Sequence, residues 1–380
     1  MKKNQLVTLG KHIDILSGCA FPSSGFNRNN GVPLIRIRDI LSGKTETYYE
    51  GSYDLKYLIK KGDLLVGMDG DFNREYWKGT DALLNQRVCK ITPNPETLDK
   101  NFLYHFLQKE LDKIHVTTDV VTVKHLSVKK IQDIKIRLPS LKEQKRIAAI
   151  LDKADAIRQK REQAIKLADD FLRAKFLEMF GTPANNIHRF PKGTIRDLVD
   201  SVNYGTSAKA SIDSGEYPIL RMGNITYQGR WDFTDLKYLD LSVKEKDKYL
   251  VKEGDLLFNR TNSKELVGKT AVYEEDRPMA FAGYLIRVRP NSIGNNYYIS
   301  GYLNSIHGKI TLMNMCKSIV GMANINAQEL QNIEILIPPK HLQDEYEIIY
   351  KKIKKGLSIY DKSAMQLQLL ASNLSNKYFM

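Results

Sequence analysis

Two polar segments concentrate side chains able to meet bases and phosphates. One carries Asp69, Asp71, Asn73, Arg74 and Lys78; the other carries Asn259, Arg260, Asn262, Ser263 and Lys264. Arginine matches guanine, Asn or Gln matches adenine, acids match cytosine, and Lys or Ser suits phosphate. Each segment follows the same tetrapeptide, Gly-Asp-Leu-Leu, at 62–65 and 254–257. Arg36, Arg38 and Arg221, expected on strands that follow Pro33 and Pro218, add positive charge nearby. Asn85-Gln86-Arg87 is a third cluster, with Gln86 the candidate contact and no polar match in Phe281–Gly283. For any single residue a solvated turn is the plainer account; for each segment as a whole, contact is favoured. Tyr76 and Trp77 beside Lys78 suit a sugar–phosphate surface or a partner, and suit a core position at least as well.

Patterns for other chemistry are incomplete. Asp69 and Asp71 could be imagined as the metal ligands of a nuclease, but no properly spaced Glu-x-Lys follows. Gly268-Lys269-Thr270 looks like the end of a phosphate-binding loop, yet Ser263 stands where its first glycine is required. A strand continuing into Ala271-Val272 also conflicts with the helix such a loop must open. Ile337-Pro338-Pro339-Lys340 lacks the leading Asn or Asp with which adenine methyltransferases hold the exocyclic amine. The seven histidines are dispersed. Cys19, Cys89 and Cys316 are too far apart for a zinc knuckle and give no disulfide framework.

Lys and Arg number 58 against 44 Asp and Glu, a formal charge of +14 in 380 residues. That excess favours a polyanionic partner, because each neutralised phosphate also releases counterions. Hydrophobic residues make up 42% and charged residues 27%, the balance of a folded protein with more than one core. No apolar run approaches a membrane span and the first residues do not read as a signal peptide, so a cytoplasmic, non-membrane protein is expected.

The elements that must position these residues occur twice. PLIRIRDI at 33–40 is echoed by PILRMGNI at 218–225, and KKGDLLVGMDGD at 60–71 by KEGDLLFNRTNS at 252–263. VVTVKHLSVKKIQDIKIRLP at 120–139 is echoed by IVGMANINAQELQNIEILIP at 319–338. Retained order with a drifting offset is what a duplicated, diverged domain leaves. Each half predicts a strand after the Gly-Asp turn (Leu64–Val66, Leu256–Phe258) and another near Arg87–Ile91 or Leu285–Val288. A helix follows, over Lys100–Lys113 or near Tyr297–Asn314, and then a strand that ends at Leu138-Pro139 or Ile337-Pro338.

After each proline the apolar period changes to that of a helix. Ile147, Ile150, Ala154, Ile157, Ala164, Ala168, Phe171 and Phe176 form one stripe. Leu342, Tyr346, Ile349, Ile353, Tyr360, Leu367, Leu370, Leu374 and Tyr378 form the other. Helices of such length, about 60 Å each, suit an antiparallel coiled coil. Gly356 predicts a kink or a close helix approach, and Gly181-Thr182-Pro183 a stop. The expected class is α+β, with recognition domains at 1–138 and 182–337 and helical spacers at 139–181 and 338–380. Antiparallel helices would relate the domains by a pseudo-two-fold axis and hold two different DNA readers a fixed distance apart.

The duplicated Gly-Asp-Leu-Leu turns and the junctions LPSLKEQKRIAAIL at 138–151 and IPPKHLQDEYEIIY at 337–350 resemble the specificity (S) subunit of type I restriction–modification systems. The spacing Pro139 to Gln144, repeated from Pro338 to Gln343, is the most distinctive local mark, and the resemblance covers essentially the whole chain. It implies two target-recognition domains, each reading half of a bipartite, asymmetric site in double-stranded DNA. It further implies two methyltransferase subunits and restriction subunits as partners. S-adenosylmethionine, ATP and Mg would reside on those partners, with no cofactor and no chemistry in this chain. Alternatives are a scaffold with degenerate recognition domains, or a diverged nuclease or methyltransferase. One departure is Thr122, opposite Gly321 in the second half.

Overall fold

The computed structural model describes residues 6–118, 124–315, 317–319 and 322–379. Thr122, Gly321 and Cys316 lie outside the described residues, as do the side chains of Tyr360 and Tyr378. The chain divides into two compact units, 1–160 with 362–380 and 161–361. Each unit contains part of both long helices, so these boundaries differ from a division at 138, 181 and 337.

In the first unit an antiparallel sheet has the order Ile13–Ser17, Val88–Pro93, Leu64–Gly67, Arg74–Tyr76. A second sheet pairs Val32–Ile35 in parallel with Ala82–Leu84, and Leu6–Thr8 pairs with Lys135–Arg137. The second unit repeats this plan. Its antiparallel sheet runs Val199–Tyr204, Leu285–Pro290, Leu256–Asn259, Thr270–Val272; Tyr217–Leu220 lies parallel to Met279–Phe281; Lys192–Thr194 pairs with Glu334–Leu336. The second unit also has a small sheet of Thr261–Asn262, Met322–Asn324 and Lys317–Ile319.

Leu64–Val66 and Leu256–Phe258 are apolar throughout because both faces of these strands are covered. Leu64 and Val66 enter a core with Phe102 and Phe106, while Leu65 enters another with Ile35 and Trp77. Leu256 and Phe258 likewise meet Tyr298, and Leu257 meets Tyr273 and Phe281. The preceding turn needs its glycine: φ is +92° at Gly62 and +87° at Gly254, a region costly for other residues. Its aspartate closes the turn by accepting from the backbone, from Lys60 N–H to Asp63 at 2.8 Å and from Lys252 N–H to Asp255 at 3.0 Å.

Both long helices form as their periodicity predicts, Leu141–Phe180 and Lys340–Phe379, with Gly181 ending the first at φ +67°. In the first unit Ile147, Ala148 and Leu151 share a core with Phe379. In the second, Phe176 and Phe180 lie 5.3 and 5.9 Å from the ring of Tyr346. Within each unit, then, the start of one long helix lies against the end of the other. The apolar stripe is not one continuous seam: Ile157 and Phe171 are exposed.

The repeated glutamine has a structural task in both halves. Gln144 is fully buried; its amide donates to the Pro139 and Thr97 carbonyls at 2.9 and 3.0 Å, and its oxygen accepts from Asp99 N–H at 2.8 Å. Asp99 in turn caps the helix Lys100–Thr117. Gln343, equally buried, donates to Pro338 and Ile293, two residues before the Asn295 cap of Asn296–Asn304. Each long helix is therefore pinned to the start of its unit's shorter helix.

Three local expectations need correction. Arg36, Arg38 and Arg221 do not lie on strands; Arg38 is within a 3₁₀ turn, and Arg36 and Arg221 cap the starts of such turns, donating their backbone N–H to Asp39 and Asn224. The helix expected near Tyr297–Asn314 is two helices, Asn296–Asn304 and Ile306–Met315. Ser305 separates them by accepting from Gly308 N–H while donating to the Tyr302 carbonyl. Gly356 marks no close helix approach, since it lies exposed within an unbroken helix and, among the described residues, an added Cβ would meet no atom within 4 Å beyond its own helical turn. Gly356→Ala should therefore stabilise the chain by about 1 kcal/mol through helix propensity, read as a higher urea midpoint at unchanged m-value.

Candidate nucleic-acid interface

The two polar segments occupy the same backbone frame. In the first unit Met68 N–H donates to the Arg87 carbonyl at 2.8 Å, and Leu126 N–H donates to the Met68 carbonyl at 2.7 Å. In the second, Arg260 N–H donates to the Tyr284 carbonyl at 3.0 Å, and Ile325 N–H donates to the Arg260 carbonyl at 2.9 Å. An Asp69–His125 bridge in one frame corresponds to the Thr261–Asn324 pair in the other. Three chain segments meet at each frame: the end of the Gly-Asp-Leu-Leu strand, the turn before the next strand, and the segment after the helices.

The side chains on these frames differ. In the first, Asp69 lies 2.6 Å from His125 Nδ1 and 3.4 Å from Arg87 Nε. Arg87 and His125 are each more than half exposed, with Gln86 and Asp71 exposed beside them. This surface combines an acid, a cation, an imidazole and an amide. In the second, the Arg260 guanidinium lies 4.9 Å from the centroid of the Tyr204 ring and donates to the Gly283 carbonyl at 3.4 Å. Tyr204 and Tyr284 are exposed, Asn262 and Ser263 are half-buried, and Lys264 is exposed. Arg stacked on aromatic rings can meet bases or phosphates while keeping its orientation.

The remaining candidates have other partners. Arg74 turns toward the helix Lys100–Thr117: its guanidinium stacks 3.4 Å over the Tyr104 ring, and burial lowers its pKa. Asn73 is half-buried and its carbonyl accepts from Gly67 N–H. Lys78 is exposed and paired with Glu75 at 3.2 Å. Arg221 pairs with Asp235 at 2.8 Å, Arg36 lies over Phe26 at 5.3 Å, and exposed Arg38 lies 3.8 Å from Asp39. Asn259 is fully buried, so its side chain faces the interior rather than a ligand. Trp77 is a core residue whose indole N–H donates to the Thr80 carbonyl; Tyr76 stacks on Tyr104 at 4.7 Å. Lys269 donates to the Met222 carbonyl, and Thr270–Val272 is a strand rather than the helix of a nucleotide-binding loop.

Sequence reasoning missed His125, Tyr204, Tyr284 and Asn324. One pair has a signal in the repeat: the matched segments 120–139 and 319–338 set His125 opposite Asn324. Arg87 and Tyr284 are matched by their backbone bonds to Met68 and Arg260, and Tyr204 is placed by its ring beside Arg260.

The two units share one backbone plan and differ at the exposed side chains of their frames. The family model described as "Type I restriction modification DNA specificity domain" matches residues 1–167 and 190–371, and the chain belongs to this family. The type I restriction enzyme EcoBI specificity subunit of Escherichia coli is 29% identical, over 97% of this chain and 82% of its own length. The EcoKI specificity subunit of E. coli strain K12 is 23% identical over 92% and 80%. A solved S subunit of a type I restriction–modification system from M. genitalium has the same fold, with a TM-score of 0.64 at 15% identity over 97% of this chain and 94% of that one. The chain is thus a type I specificity subunit, a non-catalytic class whose chemistry lies in partner subunits.

Proposed function

We propose that this chain reads a bipartite, asymmetric site in double-stranded DNA, one half per unit, within a cytoplasmic type I restriction–modification complex. The observation that carries this reading is the pair of matched frames, Met68–Arg87–Leu126 and Arg260–Tyr284–Ile325, bearing different exposed side chains. Equal scaffolding with unequal chemistry suits two different half-sequences. The charge of +14 supports a polyanionic ligand.

The same chain would scaffold two methyltransferase subunits and the restriction subunits. Apolar side chains left exposed along the long helices support this role, among them Leu167 and Phe171 on the first and Met365, Leu369 and Leu370 on the second. S-adenosylmethionine, ATP and Mg are assigned to those partners. No helix among the described residues is long and apolar enough to cross a membrane.

Footprinting of the chain in complex with its methyltransferase should show protection of one site in two blocks separated by an unprotected gap. Arg260→Ala with Lys264→Ala should weaken that binding while leaving assembly intact. The slope of log affinity against log salt should fall by about 0.9 for each phosphate that the variant no longer neutralises. Unchanged affinity and slope would place this loop away from DNA and favour the scaffold that does not read sequence.

A further inference from the structure

Beside the Arg260 loop, the second unit contains a cavity of about 300 Å³ with an unusual lining. Arg173 of the first long helix, Lys264 of the loop and Lys309 of the helix Ile306–Met315 all face it. Among the described residues Glu265 is its only lining carboxylate, and hydrogen bonds within its own turn hold that group below the usual carboxylate range. Tyr227 and the exposed Ile306, Ile310 and Met313 supply an apolar rim.

Lys309 is the informative residue. Its ammonium makes a long approach, 3.5 Å, to the Gly268 carbonyl, and it lies 4.9 Å from the Tyr227 ring centroid. Burial, with Arg173 and Lys269 nearby, pushes its pKa down to about 8. Of these neighbours, Arg173 lies 3.6 Å from Asp170, and Lys269 has a carbonyl as its partner. Three cations around one cavity, with no carboxylate paired to the deepest among the described residues, are poorly matched to each other and well matched to a multivalent anion. The Arg fork can take two oxygens while the lysines neutralise charge.

We propose that Arg173, Lys264 and Lys309 form a phosphate seat between the first long helix and the second recognition segment. The phosphate is either that of a DNA backbone or that of a small phosphorylated compound whose apolar part rests on the Tyr227–Ile310 rim. The DNA arm rests on the DNA-reading function proposed above; the small-compound arm does not.

The test uses the full chain, alone and in its methyltransferase complex. Millimolar inorganic phosphate, compared with chloride at equal ionic strength, should raise the melting temperature of the wild-type chain. Lys309→Gln and Arg173→Gln should lose that shift, and Lys309→Arg should keep it. In the complex, Lys309→Gln should lower the log–log salt slope of DNA binding by about 0.9 if the seat holds a backbone phosphate. A phosphate-specific melting shift with an unchanged DNA slope would assign the seat to a small compound. Retained phosphate stabilisation in a complex that protects no bipartite site would overturn the DNA reading and leave the seat standing. A wild-type chain indifferent to phosphate, together with an unaltered salt slope in Lys309→Gln, would overturn the seat.

Discussion

Exchanging residues 190–337 for the matching segment of a relative should change one half of the methylated sequence and leave the other half unaltered. The two units have separate cores. One is built around Phe102, Phe106 and Ile136, the other around Phe258, Tyr298 and Ile335. Contributions from distant sites with no shared partners are close to additive, so the first frame, with Asp69, Arg87 and His125, should keep its preference. The donor segment must retain the groups that hold the second unit to its own stretch of long helix. Arg230 donates to Asp169 at 2.5 Å, and the Tyr298 ring stacks on Phe176 at 5.5 Å. A donor that lacks them should fail in folding, seen as reduced stability rather than altered specificity. A soluble, assembled exchange variant that alters both half-sequences would show that the frames do not read independently.

Gln144→Leu should destabilise the chain by about 3 kcal/mol or more. Leucine fills a similar volume but leaves the Asp99 N–H and the Thr97 and Pro139 carbonyls without this partner. Each buried polar group stranded in this way costs about 1–3 kcal/mol. Gln343→Leu should cost less, about 2 kcal/mol, because the Gln343 side-chain oxygen has no hydrogen-bond partner among the described residues and only two carbonyls lose a donor. Urea denaturation of each variant measures the difference. Equal, negligible changes at both positions would mean that the repeated glutamine does not pin the helix starts.

Much of the fold is legible in the sequence because its strongest signals are periodic and occur twice. Forty-residue apolar stripes bounded by proline and glycine leave little alternative to the helices Leu141–Phe180 and Lys340–Phe379. The identical Gly-Asp-Leu-Leu strands are equally clear, since a fully apolar run after a positive-φ turn suits a strand covered on both faces. Failures occur where local chemistry overrides the pattern. Ser305 breaks a helix whose hydrophobic residues continue past it, by a hydroxyl that caps the next turn. Gly356 suggests close packing from its residue type alone, but among the described residues no atom beyond its own helical turn comes within 4 Å of an added Cβ.

The candidate interface is less legible for a related reason. Residue type identifies groups able to meet DNA, whereas burial and pairing decide which are available. Asn259 and Arg74 are suitable in type, yet the first is interior and the second stacks on Tyr104. Tyr284 and His125 gain their positions from pairings across long stretches of chain, from Tyr284 to Arg260 and from His125 to Asp69. No local sequence window contains either pair.

Genome-wide mapping of adenine methylation, in cells carrying the methyltransferase partners with and without this chain, decides whether each unit reads its own half-sequence. Two unequal recognition frames predict methylation at one asymmetric sequence of two specified blocks around an unspecified gap, all of it abolished when the chain is removed. Methylation that persists without the chain, or that falls on a continuous or symmetric motif, would contradict the assignment of one half-sequence to each unit.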